Sequence, residues 1–188
     1  MRTDIEINTI WAPADSEDYQ AFKQAASEGD VKRLAAALRP DINVNALYGD
    51  GLEGHAVLHE AALKGQIEVI QYLLAHGATV DIRDTGQFGG STPLIYAAQC
   101  AQVDAVRVLL DAGADIDARG PSDDTVLSAV LPDAIQVKQA HLDTIKLLLD
   151  YGIDINRRAS AYGPTVVSPK VPILVADCSD AFVARTSS

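Results

Sequence analysis

The sequence predicts an all-α repeat fold, a solenoid of stacked helix-turn-helix units with projecting hairpin-like fingers, on three observations. Phe22, Leu58, Leu94 and Leu127 hold equivalent places, spaced 36, 36 and 33 residues apart. Paired alanines follow the first three, as Ala25-Ala26, Ala61-Ala62 and Ala97-Ala98. A leucine-rich run comes next and ends in Gly-Ala, as in Tyr72-Leu73-Leu74-Ala75-His76-Gly77-Ala78 and Val108-Leu109-Leu110-Asp111-Ala112-Gly113-Ala114. A fixed period of this length marks units too thin to bury their own apolar faces, which their neighbours must cover.

Taken in order, residues 1–16 form an arm in which Ile5, Ile7, Ile10 and Trp11 stand among acids. This arm is expected to pack on the first unit. Ser16 before Glu17 and Asp18 reads as a helix start, with acids at the positive end of the dipole. Four repeats follow, at 17–45, 46–81, 82–117 and 118–156. In each first helix a large apolar residue and a small-residue pair give a narrow face that lets the next helix approach closely. Thr92 is placed to cap one such helix, with Pro93 in its first turn. Gly29 and Gly65 suit the tight turn to the second helix, and Ala101 takes their place in the third unit.

The second helices carry Leu34/Leu38, Ile70/Leu73/Leu74, Val106/Leu109/Leu110 and Ile145/Leu148/Leu149. Gly77, Gly113 and Gly152 suit their ends, and Asp- and Gly-rich segments suit extended fingers between units. The fourth unit departs from this plan. Thirteen residues separate Leu127 from the second-helix pattern at Ala140, where the glycine turn of the first two units comes after seven, so six extra residues fall within 131–139. Pro132 there stops or kinks the first helix, unless the second helix starts earlier and runs longer. Residues 157–188 are expected to form a degenerate fifth repeat or a C-terminal cap, with 171–176 as a first helix and a frayed tail.

Thr92-Pro93-Leu94 with Ala97-Ala98, Leu58-His59-Glu60-Ala61-Ala62, and Gly113-Ala114-Asp115-Ile116-Asp117 resemble the ankyrin-repeat family. The resemblance covers roughly residues 17 to 157. It implies a slightly curved slab of helix-turn-helix units and a protein-binding role, through the finger tips and the concave side of the first helices. The usual period is 33, so the 36-residue spacings place extra residues in two enlarged fingers, which carry Tyr48 and Phe88 among glycines. Carried over position by position, the implied partner-binding residues are Tyr48, Glu53, Leu63, Lys64, Gln87, Phe88, Gln99, Cys100, Arg119, Asp123 and Asp124. Leu63 on that face would be an apolar anchor between the two aromatics; otherwise it packs under the finger.

Composition narrows the function further. The chain has 188 residues, 48% of them apolar, which suffices for one extended domain. It lacks 18 consecutive apolar residues and a basic, apolar start, so neither a membrane span nor a secretory signal is expected. Cys100 and Cys178, far apart in unlike contexts, point to reduced thiols and a cytoplasmic protein. A net charge of −11 opposes nucleic acid and anionic membranes and would steer a basic partner.

Chemistry-bearing patterns are weak. His55 and His59 are four apart with Glu60 adjacent, but His59 holds the position that the resemblance makes structural, and no third ligand is evident. Asp123-Asp124 sits at a finger tip, and Gly86–Gly90 follows no buried strand. Cys100 has no identifiable cation to activate it. The expectation is a monomeric, non-enzymatic module without metal or cofactor that binds a basic protein, with an immunity or inhibitor protein as its sharper form. The alternatives are a host-directed effector or scaffold, a metal-dependent or small-molecule enzyme using the fourth-unit insertion, and self-association through a terminal repeat.

Overall fold

The computed structural model describes residues 17–39, 42–47, 54–85, 90–120, 125–130 and 138–154. Among them the helices run α1 (Glu17–Glu28), α2 (Val31–Ala37), α3 (Val57–Lys64), α4 (Ile67–Ala75), α5 (Pro93–Gln99), α6 (Val103–Asp111), α7 (Val126–Val130) and α8 (Gln139–Asp150). Odd-numbered helices stack in one layer and even-numbered helices in a second, and each helix also packs on its partner within the repeat. The arm at 1–16, Ser16 included, and the segment 157–188 lie outside the described residues.

No helix here exceeds 12 residues, a length at which an isolated helix is marginal in water. Packing between units therefore supplies the stability. Phe22, Leu58 and Leu94 are buried between the layers, and all six paired alanines are fully covered. With no side chain beyond Cβ at those alanines, adjacent inner helices close on one another. Leu34, Ile70, Leu73, Val106, Leu109 and Leu148 fill the second layer, each worth about 1.5–3 kcal/mol when fully withdrawn from water. Leu127 is only half-buried; among the described residues α7 packs on α5 and α8.

Two rows of side chains stitch the repeats. Gln66 Nε2 donates to the Ser27 carbonyl at 2.9 Å, and Gln102 Nε2 donates to the Leu63 carbonyl at 3.2 Å. Each glutamine lies over the turn glycine of the preceding unit. A Cβ on Gly29 or Gly65 would fall 2.4 or 2.5 Å from the glutamine Oε1, and both glycines have positive φ. Ala101 holds the same turn with φ 50, and the residue four before Ile145, where the glutamines stand four before Ile70 and Val106, is His141. Glycine thus stands where a glutamine arrives, and alanine precedes the unit whose aligned residue is a histidine. In the second row, Asn45 Oδ1 accepts from the Thr79 amide at 2.8 Å, and the Asp81 carboxylate accepts from the Asp115 amide at 3.0 and 3.2 Å.

Two expectations are settled locally. α8 begins six residues before Ile145, whereas α4 and α6 begin three before Ile70 and Val106. The second helix of the fourth repeat thus starts about one turn early and takes up part of the insertion; residues 131–137 lie outside the described residues. Thr92 occupies the N-cap of α5, with Pro93 in the first turn, but its hydroxyl makes no capping bond and is buried without a partner. At the aligned start of α3, His59 three residues into the helix makes the reciprocal bond instead, its side chain accepting the Ala56 N–H at 3.0 Å. In α5 that place is held by Ile95, which has no polar atom to offer.

Candidate protein-interaction face

Packing on α1, α4 and α5 buries α3 nearly all round, at Val57, Leu58, His59, Ala61, Ala62 and Leu63. Only Glu60 and Lys64 reach the surface, each partly. The expectation that Leu63 is an exposed apolar anchor is therefore corrected: it is 5% exposed and belongs to the core. α5 repeats the pattern, buried from Pro93 through Ala98 with Gln99 and Cys100 half-exposed at its end. Lys64 and Cys100 are aligned, so Lys64, Gln99 and Cys100 come together at the same end of neighbouring inner helices. Glu60 was not singled out from sequence; its place one turn before Lys64 was the available signal.

Gln99 Oε1 is buried without a hydrogen-bond partner. Cys178 lies outside the described residues. Tyr48, Glu53, Gln87, Phe88, Asp123 and Asp124 also lie outside them.

The finger bases are tied by a polar network. Asp84 Oδ1 accepts from the Gly90 and Ser91 amides at 2.5 and 2.7 Å, and its Oδ2 accepts from the Tyr96 hydroxyl at 2.7 Å. The same hydroxyl lies 3.4 Å from His55 Nδ1. Gly54 and Thr85 exchange backbone hydrogen bonds in an isolated antiparallel bridge between consecutive fingers. Arg83 extends the tie by donating to the carbonyls of Gly90 and Arg119, the latter at 2.8 Å. Arg119 also pairs with Thr125 in a second bridge within the next finger. Arg119 thus serves at a finger base.

His59 lies under this network, fully buried, with its ring 5.1 Å from that of Tyr96. Since Nδ1 accepts the Ala56 N–H, the proton sits on Nε2 and is donated to the Ser91 carbonyl at 3.2 Å. Burial pushes its pKa down to about 4, against the opposing charge of Asp84. Both ring nitrogens are committed to backbone, so His59 joins two units and has no lone pair for a metal or a proton-transfer step. No helix among the described residues is long and apolar enough to cross a membrane.

Two helical layers, stitched unit to unit and ending in linked fingers, define a helical-repeat scaffold of the protein-interaction class. The chain belongs to the ankyrin-repeat family: the family model for ankyrin repeats (3 copies) matches residues 22–120. Repeats of this kind are protein-protein interaction modules and are generally non-enzymatic. The chain is also similar to the E3 ubiquitin-protein ligase mind-bomb of Drosophila melanogaster, at 37% identity over 68 residues. That match covers 36% of this chain and 5% of the relative, so the chain spans a small fraction of that protein's length.

Proposed function

We propose that this chain is a non-enzymatic module that binds a basic protein through its finger tips and the open ends of its inner helices. The observation that carries the proposal is a net charge of −11 on a stack of interaction repeats. An acidic net charge raises the local concentration of a basic partner and speeds encounter. Finger bases tied by hydrogen bonds reduce the ordering cost that binding would otherwise incur. An inhibitor or immunity protein that occludes the cleft of a basic enzyme is the sharper form, acting as a monomer. The ligase activity of the matched relative is not carried over.

The test is affinity capture with the intact chain beside a Tyr48→Ala/Phe88→Ala variant, followed by titration of the captured partner over salt concentration. The expected result is a basic partner whose affinity falls steeply with salt and at least tenfold in the variant, a loss of about 1.4 kcal/mol. Affinity unchanged in both tests refutes the reading. The inhibitor form further requires the partner's own activity to fall stoichiometrically on binding.

A further inference from the structure

The stacking surface of the first repeat is open where that of later repeats is covered. Ala21 aligns with Val57 and Pro93, Arg33 with Val69 and Ala105, and Ala37 with Leu73 and Leu109. All six later residues are buried, yet Ala21 and Arg33 are exposed and Ala37 is half-buried. Ala21 and Ala37 are also smaller than their counterparts, as is Ala36 beside Tyr72 and Val108. The missing volume appears as a groove of about 270 Å³ lined by Ala21, Ala36, Ala37, Arg33 and Arg39. An apolar floor flanked by two arginine side chains suits a large aromatic ring.

The segment that leads into α1 has this chemistry. Residues 1–16 carry the sole tryptophan, Trp11, with Ile5, Ile7 and Ile10, and hold Asp4, Glu6 and Asp15 against Arg2. Trp11 stands six residues ahead of Glu17, a span of about 20 Å when extended. Ala21 lies about 6 Å into the helix from Glu17, so the reach is ample. Arg33 is already paired with Glu28 on α1 at 2.5 Å, which fixes one wall of the groove. We propose that Trp11 docks its indole on Ala21, Ala36 and Ala37 between Arg33 and Arg39, so that residues 1–16 stand in for a preceding repeat. The proposal does not depend on the partner-binding reading.

Because Trp11 is the only tryptophan, its fluorescence in the full chain reports on this contact alone. The expected emission is blue-shifted relative to the urea-unfolded chain, with acrylamide quenching slowed several-fold. Ala36→Glu, a helix-compatible change at an exposed site, obstructs the floor and should return emission and quenching toward unfolded values while helical circular dichroism is retained. Arg39→Glu should raise quenching in the same direction. Native Trp11 as quenchable as in urea overturns the proposal. So does a shielded Trp11 that neither substitution affects, since the ring then packs elsewhere. A blue shift that disappears on dilution assigns the groove to a second copy and also overturns it.

Discussion

Replacing Gly65 by alanine isolates the contact that couples one repeat to the next. At φ +69 an alanine pays about 1–2 kcal/mol for the left-handed conformation, and reduced freedom of the unfolded chain returns about 0.4–1 kcal/mol. The net strain is about 1 kcal/mol. The new Cβ would also sit 2.5 Å from Gln102 Oε1 and 2.8 Å from its Cδ. Gln102 must then swing away and give up its bond to the Leu63 carbonyl, which adds about 1 kcal/mol.

The expected destabilisation is therefore about 2 kcal/mol in urea unfolding with an unchanged m-value. Gly77→Ala is the control, because φ is +89 there but a Cβ would meet nothing within 4 Å; it should cost only about 1 kcal/mol. In a Gln102→Ala background, Gly65→Ala should likewise fall to about 1 kcal/mol. Equal losses for Gly65→Ala and Gly77→Ala, or a loss at Gly65 independent of Gln102, would refute the close-approach argument.

Three further outcomes are expected. Thr92→Val removes a buried hydroxyl that has no partner, so the thermal midpoint should stay level or rise; a loss above about 1 kcal/mol would mean that the hydroxyl is bonded. Asp84→Ala strips acceptors from two amides and Tyr96 and should cost about 3 kcal/mol in chemical unfolding, with Tyr96→Phe costing about 1 kcal/mol. His59 has a folded pKa of about 4 below its unfolded value of 6.5. Its stabilising contribution is therefore full above pH 6.5 and is lost as pH falls toward 4. Stability should drop by about 1.5 kcal/mol between pH 6.5 and 5, and proton NMR should show the His59 ring still neutral at pH 5; a ring that protonates near pH 6.5 in the folded chain would contradict the burial argument.

The repeat register was legible in sequence because it rests on spacing alone. Phe22, Leu58 and Leu94 with their alanine pairs had to share one layer, and the structure buries all of them. Side-chain exposure was less legible. Leu63 has the right register for the open side, but its burial depends on α1, α4 and α5 closing round α3 at once. Thr92 satisfies the capping pattern by type, yet its hydroxyl makes no bond to the first turn, and residue type alone does not set that geometry. The Asp84 network brings Gly90, Ser91 and Tyr96, six to twelve residues further on, round one carboxylate, and no repeat spacing encodes that. The row of Gln66 and Gln102 was readable and was overlooked, since both recur at the register of the turn glycines they cover.

The glutamine row also constrains how such a chain can lengthen. Each glutamine reaches a carbonyl 39 positions earlier, in the unit before its own. An in-frame duplication of one whole 36-residue unit therefore reproduces donor, acceptor and turn glycine together, wherever the genetic breakpoints fall. An insertion of one or two residues within the inner helix that leads to a glutamine shifts the amide off its carbonyl, whereas extra residues in a finger leave the row in place. Lengthening by whole units is thus a structurally neutral step. Drift from glycine to alanine, as at Ala101, becomes tolerable at a junction where the residue in the glutamine's register is of another type, as His141 is in the fourth unit.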